Sequence, residues 1–391
     1  MLGAIIGDVI GSIYEVNEIK ALKEKRNNYK NRIKILDKSV PLFTSECSYT
    51  DDTVLTVAVA HSLLNDKNYY KYLKEFGKKE MSLGIDKYGR NRFSSRFIDW
   101  LNGDYIGNSY GNGCAMRISP IANYCSNFDD MIKEIYNVTC TSHKSTESIK
   151  ASIAVSYAIY LAKNRFKKET IKKFIEKQCD YNLNYDLEQL QKNYKFTSRA
   201  KDSIPQAIYC FLISNDFEDA IRKAISIGGD SDTIAAITGS IAEAYYDIDN
   251  KLIKSVEKYL PEYVINITNN FYEYICKPKP FKNDVKDFFK AQGLYSEDFF
   301  DYIKNRVVTL PSCVPLQFVG CFPQVENGVL KDIRVSVPKT DNDENMLVNI
   351  HEYYHALELF NELGSVYEDK KEERENKAKE IEKVYKIKKS I

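Results

Sequence analysis

The chain is short of several features that usually announce a compartment or a partner. Its nine cysteines are odd in number and scattered over 391 residues, with no CxxC pair. That argues against a disulfide framework and for reduced thiols in a cytoplasm. It has almost no charge excess: 56 Lys and Arg stand against 55 Asp and Glu, so nothing in the charge suggests nucleic acid. No run reaches the roughly 18 apolar residues of a membrane span. Met1 to Ile13 is apolar, but Asp8 interrupts it and no basic stretch precedes it, which makes a poor signal peptide. Histidine is scarce, with four in the whole chain. What remains, 43% hydrophobic and 28% charged, is ordinary for a soluble globular protein. The length suits one large domain or two. The reading is a cytoplasmic protein.

Two stretches concentrate oxygen donors. One is Ile225-Ser226-Ile227-Gly228-Gly229-Asp230-Ser231-Asp232-Thr233-Ile234. Before it, Phe217, Ala220, Ile221, Ala224 and Ile225 recur at the spacing of one buried helix face. After it another helical run begins, so Asp230 to Thr233 fall where a loop enters a helix. Any one of them would serve as an N-cap. Two glycines ahead of Asp-x-Asp-Thr permit a tight turn and a close approach. Carboxylates crowded there need compensation, most simply a hard cation. Tyr49-Thr50-Asp51-Asp52-Thr53, ahead of the apolar run from Val54 to Ala60, repeats the arrangement. Thr50, Asp51, Asp52, Asp230, Asp232 and Thr233 supply enough oxygen for one or two Mg²⁺ or Mn²⁺ ions and contain no soft ligand.

Five ordered blocks carry a resemblance. They are Leu2-Gly3-Ala4-Ile5-Ile6-Gly7-Asp8-Val9-Ile10-Gly11 with Tyr14-Glu15, Thr50-Asp51-Asp52-Thr53, Gly111-Asn112-Gly113-Cys114-Ala115-Met116-Arg117, Ser142-His143, and Gly229-Asp230-Ser231-Asp232-Thr233. Over residues 1 to about 275 the chain resembles the ADP-ribosylglycohydrolases, the group of the dinitrogenase-reductase-activating glycohydrolase and the ADP-ribosyl-acceptor hydrolases. The resemblance implies an all-helical fold. It implies hydrolysis of the glycosidic bond between ADP-ribose and an acceptor, in a protein or a small conjugate. Two metals on the six oxygen donors would hold the ribose and supply water, with Asp51 or Asp232 orienting or deprotonating that water. Glu15 matches a glutamate near the metals on a movable segment, and His143 one that lines the nucleotide pocket. Gly111, Asn112, Gly113 and Cys114 form a turn whose N–H groups can cradle an anion, which the resemblance makes the diphosphate, with Arg117 adding charge. The alternative is a module that binds ADP-ribose without turning it over.

Elsewhere, Gly3, Gly7 and Gly11 recur every fourth residue, a smooth strip on a helix. Asp8 beside them needs a partner, because a carboxylate on an apolar helix is otherwise costly. Residues 20 to 38 read as a basic, solvated connection or a flap, 68 to 110 as aromatic-rich and irregular, and 165 to 200 as polar and peripheral. Helices are expected over 54–64, 146–162, 203–215, 217–226, 234–247 and 250–275.

The texture changes at Lys277-Pro278-Lys279-Pro280-Phe281-Lys282-Asn283-Asp284. Alternating prolines keep such a stretch extended, so it reads as a linker. A helical segment over 284–305 follows, then strand candidates at Val307-Val308, Phe318-Val319 and Ile333 to Val337. His351-Glu352-Tyr353-Tyr354-His355 holds two of the four histidines. Four residues apart on a helix, they share a face and can bind one Zn²⁺, with Glu352 beside them to activate water. Glu375, in Glu375-Asn376-Lys377-Ala378, resembles the third ligand on the next helix of gluzincins such as the small peptidases associated with phage repressors; Glu372 is the other candidate. This part is a peptidase acting on a peptide, or a degenerate zinc module that positions a partner. The fold expected is mainly α: an all-helical domain over 1–276, a linker over 277–284, and a small α+β zincin-like domain over 285–391.

Overall fold

A computed structural model describes residues 1–103, 107–125, 128–164, 166–276, 289–290, 293–294, 296–303, 306–310, 320–326, 329–338, 343–363 and 370–389. The chain divides into two compact units, the first made of Met1–Cys125 and Met131–Cys276, the second mainly of Lys277–Ile391. The linker expected over 277–284 and the strand candidate Phe318-Val319 lie outside the described residues. Among those residues, no helix is long and apolar enough to cross a membrane.

The described part of the first unit is helical. Its helices are α1 (Leu2–Lys23), α2 (Tyr29–Arg32), α3 (Asp51–Leu64), α4 (Tyr69–Met81), α5 (Ser95–Asn102), α6 (Ser119–Tyr124), α7 (Phe128–Thr139) and α8 (Thr146–Lys163). They continue as α9 (Lys168–Cys179), α10 (Leu187–Asn193), α11 (Ala200–Leu212), α12 (Phe217–Ser226), α13 (Ser231–Tyr245), α14 (Asn250–Val256) and α15 (Glu262–Cys276). Every residue of α13 from Ser231 to Ala242 is buried, the mark of a helix packed on all sides. Against it lies α1, with almost no space between. A Cβ on Gly7 would stand 2.1 Å from the Ala235 carbonyl oxygen, and one on Gly3 2.2 Å from that of Gly239. The glycine strip therefore sets backbone against backbone. This contact brings Asp8 and Glu15 of α1 beside Asp232 of α13.

Three stretches are more ordered than their composition suggests. Residues 68–110 hold α4 and α5. In α4, Tyr69, Tyr72, Leu73, Phe76, Gly77 and Glu80 are buried, a helical period carried by aromatic residues and so masked as irregularity. Residues 165–200 hold α9, which buries Ile171, Phe174 and Ile175, and α10. In residues 20–38, Arg32 is not solvated: it is 5% exposed, paired with Glu18, and donates to the Ser226 carbonyl.

The second unit has helix α16 (Glu297–Ile303), strands β1 (Val307–Leu310), β2 (Gly320–Glu326) and β3 (Val329–Pro338), and helices α17 (Asp343–Phe360) and α18 (Lys371–Lys389). The strand order is β1-β3-β2, with β1 parallel and β2 antiparallel to β3. Phe299, Phe300, Ile333, Val335, Tyr353 and Leu357 belong to its core.

Candidate active site

Two helix N-termini and one helix side build the acidic centre. Gly228 and Gly229 both have φ of +77°, a conformation that non-glycine residues rarely adopt. They turn the chain sharply from α12 into α13, so that Asp230 and Asp232 open the second helix. Thr50 caps α3, its hydroxyl accepting the Asp52 N–H at 3.3 Å. Asp230 stands in the cap position of α13 but makes no capping bond. Its Oδ2 accepts the Asn112 side-chain amide at 2.8 Å instead. From α1, Asp8 ties the α3 turn down: it accepts the Thr50 N–H at 2.9 Å, the Thr50 hydroxyl at 2.7 Å, the Thr53 N–H at 3.1 Å and the Thr53 hydroxyl at 2.5 Å. Thr233 donates its hydroxyl to Asp52 Oδ2 at 3.0 Å.

Two sets of carboxylates converge. Asp8, Asp52 and Asp232 bring one oxygen each within 4.8 Å of one another, and so do Glu15, Asp230 and Asp232. Asp51 lies outside both sets. Burial raises every one of these acids. Desolvation, then the charges of Asp8 and Glu15, push Asp51 up to about 7; desolvation and then Glu15 push Asp230 up to about 7. Desolvation raises Asp8 and, with neighbouring aspartates, lifts Asp52 and Asp232 well above the carboxylate range. Glu15 is pushed to about 8 by desolvation and Asp232, against the opposing charge of Arg90. Arg90 Nη1 donates to Glu15 Oε2 at 2.5 Å, and its Nε to Asp86 at 2.8 Å.

The donor set fits a hard divalent cation. Asp52 Oδ1 is buried without a hydrogen-bond partner among the described residues, a costly state for a carboxylate oxygen that a cation would relieve. The convergent donors are carboxylate and hydroxyl oxygens, which suit Mg²⁺ or Mn²⁺.

The acids line a cavity of about 720 Å³, within the range of small-molecule sites. Glu15, Thr50, Asp51, Asp52, Asp230, Asp232 and Thr233 line it, as do Gly111, Asn112, Gly113, Arg117 and His143. The wall also carries Arg90, Arg92, Arg96, Arg199, Tyr110 and Phe196, with Asp86 paired to Arg90 and Glu80 to Arg92. The Arg96 and Arg199 guanidiniums lie 5.2 and 5.3 Å from the Tyr110 ring centroid.

Three expectations for the Gly-Asn-Gly block need correction. Cys114 does not line the cavity; it is fully buried and its thiol donates to the Ser148 carbonyl. Arg117 does not reach an open surface. It is 0% exposed and donates to Ser142, because the helical turn after the block carries it inward. Two of the turn's N–H groups are spent inside the protein, Gly111 on Ser109 Oγ and Asn112 on the Ser198 carbonyl. Arg90, Arg96 and Arg199 were not foreseen. They come from the stretches read as irregular or peripheral, and a single sequence gives no sign that Arg90 meets a residue 75 positions away.

In the second unit, α17 and α18 bring His351, His355 and Glu375 together. The two Nε2 atoms are 2.9 Å apart, and Glu375 Oε2 is 3.4 Å from each. Ligand atoms on a tetrahedral ion with bonds of about 2.0–2.1 Å stand about 3.3 Å apart, so these residues fit Zn²⁺. Glu382 contacts His351 Nδ1 at 2.6 Å. Glu372 is exposed. Glu352, raised to about 7 by desolvation, accepts the Cys321 backbone N–H.

Comparison with known proteins places the first unit in a family. The family described as ADP-ribosylglycohydrolase matches residues 1–278. ADP-ribosylhydrolase ARH3 of Bos taurus is 25% identical over 307 residues, covering 64% of this chain and 84% of the relative. ADP-ribosylarginine hydrolase Tri1 of Pseudomonas putida (strain GB-1) is 21% identical over 283 residues, covering 66% of this chain and 72% of the relative. A solved structure titled ADP-ribosylglycohydrolase-related protein complex superposes with a TM-score of 0.48 at 18% identity, over 70% of this chain and 96% of that one. Through residues 1–278 the chain belongs to the ADP-ribosylglycohydrolase family of enzymes.

Proposed function

We propose that the first unit releases ADP-ribose from an acceptor by metal-dependent hydrolysis of the glycosidic bond. The observation that carries this reading is the mixed lining of one cavity: convergent buried carboxylates with an orphaned Asp52 oxygen, together with arginines and aromatic rings. ADP-ribose has the matching chemistry, with ribose hydroxyls for a metal end, phosphates for the arginines and a planar base for the rings. Asp52, Asp230 and Asp232 would hold one or two Mg²⁺ or Mn²⁺ ions, with Thr50, Asp51 and Thr233 beside them. Bound there, such ions would orient ribose hydroxyls and make a water more acidic. Asp232 belongs to both carboxylate sets and is the base that would take a proton from the attacking water. Asp51, at the cavity side of the same centre, would orient that water. Glu15, held by Arg90 next to Asp232, would move a proton at the leaving atom.

The test is release of ADP-ribose from a panel of conjugates, ADP-ribosyl-arginine among them. It is run with Mg²⁺, with Mn²⁺, with chelator, and with Asp232→Asn. Metal-dependent release that the variant lacks supports the reading. Tight ADP-ribose binding with no release from any conjugate would move the assignment to a binding module.

For the second unit the convergence of His351, His355 and Glu375 favours a separate zinc centre with peptidase chemistry. Three protein ligands leave one position open, the pattern of a catalytic site. Zinc held there would supply a Lewis acid and an acidified water. Glu352 would take the water's proton and pass it to the departing amine of a peptide. Zinc content of the purified chain tests the centre, with His355→Ala as control. Cleavage of a fluorogenic peptide library, with Glu352→Gln as control, tests the chemistry. Bound zinc without cleavage would leave a zinc module that positions a partner.

A further inference from the structure

Behind the Gly-Asn-Gly turn, three side chains form a directed chain of hydrogen bonds. Arg117 Nη2 donates to Ser142 Oγ at 2.6 Å, and Ser142 Oγ lies 2.8 Å from His143 Nδ1. A guanidinium only donates, so the serine oxygen is the acceptor in the first link. The serine hydroxyl keeps one proton to give, and His143 Nδ1 is the one acceptor it has among the described residues. Nδ1 therefore accepts, and in a neutral ring the proton sits on Nε2. That nitrogen faces the turn: a Cβ on Gly113 would stand 3.4 Å from it, and one on Gly111 3.8 Å. His143 and both glycines line the cavity.

Gly111 and Asn112 of the turn already spend their N–H groups within the protein. We propose that Arg117 and Ser142 are positioning residues that hold His143 as its neutral Nε2–H tautomer, so that Nε2–H is presented beside Gly111 and Gly113 as a donor of fixed direction to an acceptor atom of ADP-ribose. The ligand half of this proposal rests on reading the cavity as an ADP-ribose site. Two further observations agree with it. Burial first, and then the Arg117 charge, keep His143 well below its ordinary pKa, which leaves the ring neutral. Arg117 is 0% exposed, and its Nε and Nη1 have no partner among the described residues. Its one firm bond is the one to Ser142, so it acts through the serine rather than on the ligand. A neutral donor with a fixed direction selects an acceptor oxygen at one place on the wall. Of these three side chains only His143 touches the ligand.

The experiment uses the full chain labelled with ¹⁵N-histidine, the His143 signals being assigned by their loss in His143→Gln. The expected spectrum of the ligand-free protein has Nδ1 at the unprotonated and Nε2 at the protonated position, a single tautomer. In Ser142→Ala the two tautomers should mix, and the dissociation constant for ADP-ribose should rise about tenfold, the worth of one well-placed hydrogen bond. The effect should fall on KM rather than kcat, because none of the three side chains belongs to the carboxylate sets. An Nδ1–H tautomer or an imidazolium in the unmodified chain overturns the proposal without recourse to any variant. So does Ser142→Ala with unchanged tautomer and affinity. An Nε2–H tautomer in a protein that does not bind ADP-ribose overturns the ligand assignment while leaving the hydrogen-bond chain standing.

Discussion

Asp8 Oδ2 accepts both the backbone N–H of Thr53, at 3.1 Å, and its hydroxyl, at 2.5 Å. The same carboxylate group takes two more bonds from Thr50, so one α1 side chain organises the first turn of α3. In Asp8→Asn the amide nitrogen must face the Thr50 hydroxyl or, turned over, the Thr50 and Thr53 N–H groups, so at least one buried donor loses its acceptor. Such a loss costs about 1–3 kcal/mol. The variant should unfold at lower denaturant, and its Mn²⁺ affinity, read by calorimetry, should fall about tenfold or more because the turn bearing Asp52 is no longer fixed. Unchanged metal affinity would make Asp8 a stability residue alone.

The α1–α13 contact makes a sharper stability prediction. At Gly7 an added methyl would stand 2.1 Å from a backbone carbonyl oxygen, with the Ala236 backbone nitrogen 2.7 Å away. Neither atom can swing aside as a side chain would. Gly7→Ala should therefore lower stability by about 3 kcal/mol or more, the upper end for overpacking, and it should disturb the acids that the contact aligns. Gly84, with nothing within 4 Å but φ of +78°, provides the comparison: Gly84→Ala should cost only about 1 kcal/mol of backbone strain. Denaturant melts of the two variants give the ranking directly.

These two residues also show how the sequence could be read. Gly3, Gly7 and Gly11 announce a close helix contact by spacing alone, and the acid-hydroxyl clusters announce themselves because Asp, Thr and Gly have few reasons to crowd a helix start. What spacing does not carry is the partner. Nothing local says that α1 meets α13, or that Arg90 reaches back to Glu15. Nor does anything local say that packing buries Arg117 and turns it onto Ser142. Aromatic helices such as α4 were missed because tyrosine counts as apolar on one face and polar on the other.

Arg90 sets the state of Glu15. It opposes both the burial and the Asp232 charge that raise this carboxyl, through a 2.5 Å bond. Arg90→Ala should raise the Glu15 pKa further and lower kcat by about tenfold or more, in line with a charge-assisted hydrogen bond. Arg90→Lys should recover part of the loss, since it restores the charge but not the fork that also holds Asp86. Equal kcat in all three proteins would mean that Glu15 takes no part in proton movement.

In the second unit, Glu382 meets His351 Nδ1 at 2.6 Å, which fixes the proton on Nδ1 and turns Nε2 toward Glu375. Carboxylates in this position orient a ligating imidazole, and their removal weakens metal binding about 10- to 100-fold. Glu382→Gln should do the same in a competition titration with a zinc chelator. No change in zinc affinity would count against His351 as a ligand.

The buried acids predict an unusual pH dependence for the metal-free chain. Asp51 and Asp230 rise from 3.8 to about 7, and Glu15 from 4.5 to about 8. Between those limits the folded protein holds protons that the unfolded chain has released. Stability therefore falls as pH rises, with the loss spread from about pH 4 to about pH 8. Divalent cations reverse the sign. They replace the protons, so their affinity grows as the carboxylates ionise, and the added stability follows the ratio of free metal to its dissociation constant. Thermal melts across this range should thus diverge: a melting temperature that declines with pH in chelator, and one that holds or climbs in Mn²⁺. Asp232→Asn removes one of the crowded charges and should flatten the decline in chelator while abolishing the rescue by Mn²⁺. A metal-free chain whose melting temperature is constant or rises through this window would mean that the acids are already compensated, and the case for cations at this centre would fail with it.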